Sequence, residues 1–79
     1  MITAEVAVYP LKTNDATRVI KDSIKAIQGT DVDYTVNSIN TRISGTKDEV
    51  FKSLETMFTE AERRGGEISM VITIGNAYS

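Results

Sequence analysis

From Ile2 to Tyr9 apolar and polar side chains alternate. Ile2, Ala4, Val6 and Val8 share one face; Thr3, Glu5, Ala7 and Tyr9 share the other. A period of two, rich in β-branched residues, predicts a strand buried on one face. Pro10 has no N–H to give to a ladder, so the strand is expected to end there. Thr13 or Asn14 then offers a helix cap, with Asp15 in the first turn. Ala16, Val19, Ile20, Ser23, Ile24 and Ile27 recur at spacings of three and four, which predicts an amphipathic helix. Gly29 suits its left-handed stop. Val32, Tyr34 and Val36 alternate with Asp33, Thr35 and Asn37 in a second strand. Ser38-Ile39-Asn40 breaks the alternation with turn formers, and Thr41 to Ser44 resumes it in a third strand.

After Gly45, Thr46-Lys47-Asp48-Glu49 matches a capping box, a hydroxyl at the cap and a Glu three residues on. Val50, Leu54, Met57, Phe58 and Ala61 form the next apolar stripe, widened by Phe51. Arg63 and Arg64 suit the negative end of the helix dipole, and Gly65-Gly66 stops the helix. Ile68, Met70, Ile72 and Ile74 alternate with Ser69, Val71 and Thr73 in a fourth strand, and Gly75 to Ser79 reads as a tail. The order β-α-β-β-α-β, with right-handed crossovers, predicts an α+β ferredoxin-like plait: a four-stranded antiparallel sheet with two helices on one face. Residues 1–79 are expected to form a single domain.

The two sheet faces differ in chemistry. Ile2, Ala4, Val6, Val8, Tyr34, Val36, Ile43, Ile68, Met70, Ile72 and Ile74 are expected to pack beneath the helices. The open face carries Thr3, Glu5, Ala7, Thr35, Asn37, Arg42, Ser69, Val71 and Thr73. Val71 and Ala7 are poor choices for solvent, and few of these side chains are long and charged. Such a surface suits contact with a flat partner, a second sheet or a ring-bearing ligand. Glu5 stands out because Glu is disfavoured in mid-strand. It either pairs with Arg42 across the sheet, a contact worth little when exposed, or offsets a cationic or amino-bearing ligand.

Composition removes several chemistries. The 79 residues contain no Cys, hence no disulfide, thiolate metal site or cysteine nucleophile. They contain no His, which takes away the commonest general base and metal ligand. Nine Lys and Arg against eleven Asp and Glu leave no basic excess for nucleic acid. No apolar run approaches the ~20 residues of a membrane span, and the start of the chain does not read as a signal peptide. A cytoplasmic protein without membrane insertion is expected. A small domain without staples often gains stability by oligomerising.

Motif by motif, catalysis finds no support. Gly65-Gly66 precedes a strand rather than opening a helix, so it is no phosphate cradle. Asp31 and Asp33 flank Val32, but two acids so spaced in a loop are ordinarily only solvated; no metal site is expected. No Ser has a His or an evident Lys base. The first loop carries Lys12 where acylphosphatase plaits use Arg. The open face lacks the aromatics on which RNA-binding plaits stack bases, and metal-chaperone plaits need a Cys pair that is absent.

The opening Met1-Ile2-Thr3-Ala4-Glu5-Val6-Ala7-Val8-Tyr9-Pro10 resembles the first strand of the YkoF-like thiamine-binding proteins, including the closing Pro. Tyr34 to Gly45 is similar to that family's Tyr-x-Val-x-x-x-x-Thr-x-hydrophobic-Glu-Gly segment, and Asp48-Glu49-Val50 fits its helix start. The resemblance covers nearly the whole chain. It implies a ferredoxin-like fold and homo-oligomers, dimers or tetramers associated through their sheets. It also implies non-catalytic binding of thiamin or its hydroxymethylpyrimidine part, linked to thiamin salvage or transport, with no cofactor. Asn40 and Thr41 match the family's polar pair in the third strand, and Glu5 an acid of some members. Ser44 stands where the family commonly has Glu, which removes a carboxylate.

The candidate ligand-binding residues are Glu5, Asn37, Ser38, Asn40 and Thr41. The Asn37 and Asn40 amides can read an aminopyrimidine edge, and Glu5 can offset a thiazolium. Ser38 and Thr41 add hydroxyls, and Tyr9 or Tyr34 a stacking face. None of this requires a base or nucleophile. The competing expectation is a structural or regulatory subunit whose polar sheet face serves only assembly.

Overall fold

A computed structural model gives the fold and describes residues 1–37 and 39–77. The elements run β1 (Ile2–Pro10), α1 (Ala16–Lys25), β2 (Asp33–Val36), β3 (Thr41–Gly45), α2 (Lys47–Gly65) and β4 (Ile68–Gly75). One sheet has the strand order β2-β3-β1-β4, and each neighbouring pair is antiparallel. The two helices pack together on one side of it. This is the ferredoxin-like α+β plait that the order of patterns predicts.

The core lies between the middle of the sheet and the helices. Ala4, Val6 and Val8 of β1 and Ile43 of β3 meet Val19 of α1 and Val50, Leu54, Met57 and Ala61 of α2, with Ile27 and Val32 closing the end near β2. Ile27, Ile43, Met57 and Val50 are fully buried. Burying one such side chain contributes roughly 1.5–3 kcal/mol relative to leaving it in water. Gly65 lets the helices approach: a Cβ there would stand 3.2 Å from Cγ1 of Val19.

The helix ends follow local chemistry. The Thr46 hydroxyl accepts from the Glu49 amide at 3.2 Å, and the Glu49 carboxylate accepts from the Thr46 amide at 2.9 Å, which completes the capping box. These bonds from Thr46, the backbone one first, hold the Glu49 carboxyl below the usual glutamate range. Gly66, at φ 75°, stops α2. Near that end Arg63 and Arg64 both donate to Glu60, lowering its pKa, and Arg64 lies 3.5 Å from Asp22 of α1.

Four expectations need correction. The α1 cap is Asp15 rather than Thr13 or Asn14. The Asp15 carboxylate reaches the Arg18 amide, while the Thr13 hydroxyl is taken by the Asp15 N–H. The helix ends at Lys25, and Ile27 joins the core from the following turn rather than from the helix stripe; Gly29 does adopt a positive φ of 84°. Gly75 belongs to β4 rather than to a tail. Finally, Tyr34, Val36, Ile72 and Ile74 stay exposed, although the alternation places them on the helix side. They sit on the outer strands β2 and β4, and two helices cover only the middle of a four-stranded sheet.

Candidate functional site

The nine residues of β1 outrun the five of β3, and that mismatch builds a groove that carries predicted site residues. β3 begins at Thr41, opposite Val6, so β1 from Ala7 to Pro10 has β4 on one side and no strand on the other. Asn37 and Asn40 close the β2–β3 hairpin beside that gap, and α1 roofs it. The result is a groove of about 350 Å³, floored by Val8 and Thr41, walled by Ile20 and Ile24 of α1, and rimmed by Ile39 and Asn40.

The hydrogen-bond parity of the sheet fixes which main-chain groups face this gap. Opposed residues in an antiparallel pair alternate between those that exchange N–H···O bonds and those that do not. Leu11 N–H donates to Glu67 C=O at 2.9 Å, continuing the β1–β4 register, so the odd residues of β1 turn their main chain toward β4. The even residues turn theirs toward β3. Asn37 N–H donates to Asn40 C=O at 3.0 Å, which sets the same alternation in the hairpin and leaves Thr41 to pair with Val6. The next even residue, Val8, therefore aims both its N–H and its C=O into the groove. Among the described residues neither group has a partner there, although Val8 is only 8 % exposed.

The predicted site residues fall into two groups. Asn37, Asn40 and Thr41 line the groove. Asn37 is engaged by the turn: its carbonyl oxygen accepts from the amides of Ile39 and Asn40 at 2.8 and 2.9 Å. Its amide nitrogen donates to the side-chain oxygen of Asn40 at 3.3 Å. Thr41 is 4 % exposed and points to the helix side beside Val6, with no hydrogen-bond partner for its hydroxyl among the described residues. Glu5 lies on the opposite sheet face and does not line the groove; its carboxylate accepts from the Asn40 amide nitrogen at 3.3 Å. Glu5 thus acts on Asn40 from outside the groove. Arg42 is directly across from Glu5, yet the two form no ion pair among the described residues. Ser38 lies outside the described residues.

Of the two tyrosines offered as stacking faces, Tyr9 lines the groove and Tyr34 does not. Ser44, where a Glu was missed, bonds instead to Thr3, hydroxyl to hydroxyl at 3.1 Å. Reading by side chain alone overlooks the Val8 main chain and the α1 wall. The unequal strand lengths were a signal for the first, and the apolar stripe of α1, longer than the core needs, for the second. Among the described residues no three acidic side chains gather as a metal site, and no helix is long and apolar enough to cross a membrane.

Solved structures with this architecture include a protein of Streptococcus pneumoniae, with a TM-score of 0.90, 22% identity, and coverage of 98% of this chain and 87% of the other. A domain of unknown function from Bacillus cereus aligns with a TM-score of 0.86 at 23% identity over 96% of this chain and 75% of that one. A Thermotoga maritima protein, named for thiamine biosynthesis or salvage, aligns with a TM-score of 0.83 at 19% identity over 96% and 83%. At these identities the likeness establishes the fold. No curated protein matches the sequence. The YKOF-related family model matches residues 1–77, so the chain belongs to the YKOF-related family.

Proposed function

We propose that this protein binds thiamin or its hydroxymethylpyrimidine part, without catalysis, in the groove between β1, α1 and the β2–β3 hairpin. The observation that carries this reading is the groove's make-up. Ile20, Ile24 and Val36 offer an apolar surface for a ring, and Asn40, Thr41 and the Val8 main chain gather polar groups at one end. A small-molecule site has this composition, mostly apolar with a few convergent polar groups. Membership of the YKOF-related family and the thiamine name of the T. maritima protein support the choice of ligand. The role in the cell is thiamin salvage or transport, and the binding reading calls on no acid–base or nucleophilic group among the described residues.

The working form is a homo-oligomer associated through its sheets. The exposed Val71 on the open face, at 57 %, and the exposed Ile72 and Ile74 on the outer strand β4 favour it. The same observation supports a second reading, a structural or regulatory subunit in which the open face serves assembly alone.

A thermal-shift titration with thiamin, thiamin phosphates and hydroxymethylpyrimidine, with size followed by light scattering, separates the two. A ligand that binds only the folded state raises the melting temperature as its concentration passes Kd. A saturable rise with one of the pyrimidines supports the carrier. A flat response up to millimolar ligand, from a folded oligomer, leaves assembly as the function.

A further inference from the structure

We infer that an anion-binding cleft on the flank of α1 adjoins the groove, and that Arg18, Lys21 and Lys25 in this cleft hold the phosphate arm of a ligand whose ring lies in the groove. This rests on the proposed function and goes beyond it, because it makes the ligand a phosphate ester, above all a diphosphate. All four residues of β2 are exposed, so α1 leaves that strand uncovered. The space beside α1 is a cleft of about 610 Å³. Ile24 of α1 and Val36 of β2 line both this cleft and the groove, which makes the two spaces neighbours. A ring seated against Ile24 and Val36 can therefore send a side arm into the cleft without crossing a wall.

The cleft is built on the wet side of α1. Arg18, Lys21 and Lys25 follow one another at spacings of three and four, so they share one face of the helix. Two carboxylates also line the cleft, and both are engaged. Asp15 accepts from the Arg18 amide at 3.3 Å as the helix cap, and Asp22 lies 3.5 Å from Arg64 of α2. Among the described residues none of the three cations forms an ion pair. The whole chain has a net charge of −2, so this is a local excess of positive charge. Lys21 and Lys25 are four apart, a spacing at which like charges on a helix repel. An anion set between them removes that repulsion and accepts charge-assisted hydrogen bonds from the two ammonium groups and the Arg18 fork. Arg18 to Lys25 covers about 10 Å of helix axis at 1.5 Å per residue. A diphosphate reaches along more of that length than a single phosphate does.

The test is calorimetric titration of the full chain with thiamin, thiamin diphosphate and inorganic pyrophosphate, repeated on the double variant Lys21→Gln, Lys25→Gln. Both lysines are exposed and Gln is a good helix former, so the variant keeps the fold. The inference expects the diphosphate to bind roughly tenfold more tightly than thiamin at low salt, the value of one charge-assisted hydrogen bond. It expects that ratio to fall to about one in the double variant. In the unaltered chain the ratio should fall likewise at about 1 M salt, where the screening length is about 3 Å. A diphosphate that binds no more tightly than thiamin, or a ratio that survives the double change or the salt, overturns the inference while leaving thiamin binding intact. Inorganic pyrophosphate that binds as tightly as thiamin diphosphate makes the cleft a site for free anions and overturns its link to the groove. Failure of thiamin and its diphosphate alike to bind overturns the inference together with the proposed function.

Discussion

Replacing Thr41 by Val should weaken ligand binding while leaving stability nearly unchanged. Thr41 is 4 % exposed, faces the helix side, and gives its hydroxyl no hydrogen-bond partner among the described residues. No buried side-chain oxygen or nitrogen among the described residues lacks a hydrogen-bond partner, so the Thr41 hydroxyl keeps its contact with water in the groove. Val has nearly the same shape and is at home in a strand. T41V should then change the stability of the free protein by no more than about 0.5 kcal/mol, which for a domain of this size moves Tm by no more than about 2–4 °C. Ligand binding should weaken by the net value of one hydrogen bond, about 0.5–1.5 kcal/mol or roughly two- to thirteenfold in Kd. Differential scanning calorimetry gives the first number and isothermal titration with hydroxymethylpyrimidine the second. A fall in Tm well beyond this would show that the hydroxyl is bonded in the native protein, and an unchanged Kd would remove it from the site; either refutes the reasoning.

Other consequences follow from the same structure. Thr46→Ala removes the hydroxyl half of the capping box and should cost about 1 kcal/mol, read as a lower urea midpoint at an unchanged m value. Gly65→Ala places a methyl 3.2 Å from Val19 and should lower Tm, whereas Gly75→Ala, with nothing within 4 Å, should leave the packing undisturbed. Glu49 and Glu60 are both held below the ordinary value of 4.5 in the fold by their hydrogen bonds. Their stabilisation is therefore complete above about pH 4.5 and fades as pH falls through the lowered folded values. Urea midpoints measured from pH 6 to pH 3 should drop, and the double change Glu49→Gln, Glu60→Gln should flatten that drop; an equally steep acid limb in the double variant contradicts the assignment. Glu5→Gln, which keeps an acceptor for the Asn40 amide, should alter ligand affinity less than Glu5→Ala, compared by calorimetry.

Alternation and helical spacing made the architecture legible, because each element buries one face and the sequence shows which. Val6, Ile43, Val50 and Met57 are where the patterns put them. The same reasoning overestimated Ile72 and Ile74, since a period of two says which side a residue faces and not whether anything covers that side. The cap of α1 lies one or two residues beyond the expected Asn14 or Thr13 because Thr13, Asn14 and Asp15 all have a suitable oxygen, and only the path of the loop decides among them.

The site was legible in part, through Asn37, Asn40 and Thr41, whose polar side chains at a strand-breaking turn are a pattern in themselves. Alternation already separates Glu5 from Thr41, and the structure puts them on opposite faces, with Asn40 as the link. Asn37 is spent largely on its own turn. The Val8 main chain escaped a reading by side chains because every residue carries the same amide. What makes this one different is the place where β3 stops.

The central claim, that the groove binds an aminopyrimidine, is tested most directly by a backbone-amide NMR titration with hydroxymethylpyrimidine. The account predicts saturable shifts gathered at Ala7 to Tyr9, Ile20, Ile24 and Asn37 to Thr41, with the outer face of α2 unmoved. Shifts gathered on the open sheet face around Thr73 and Val71, or none at millimolar ligand, would contradict it.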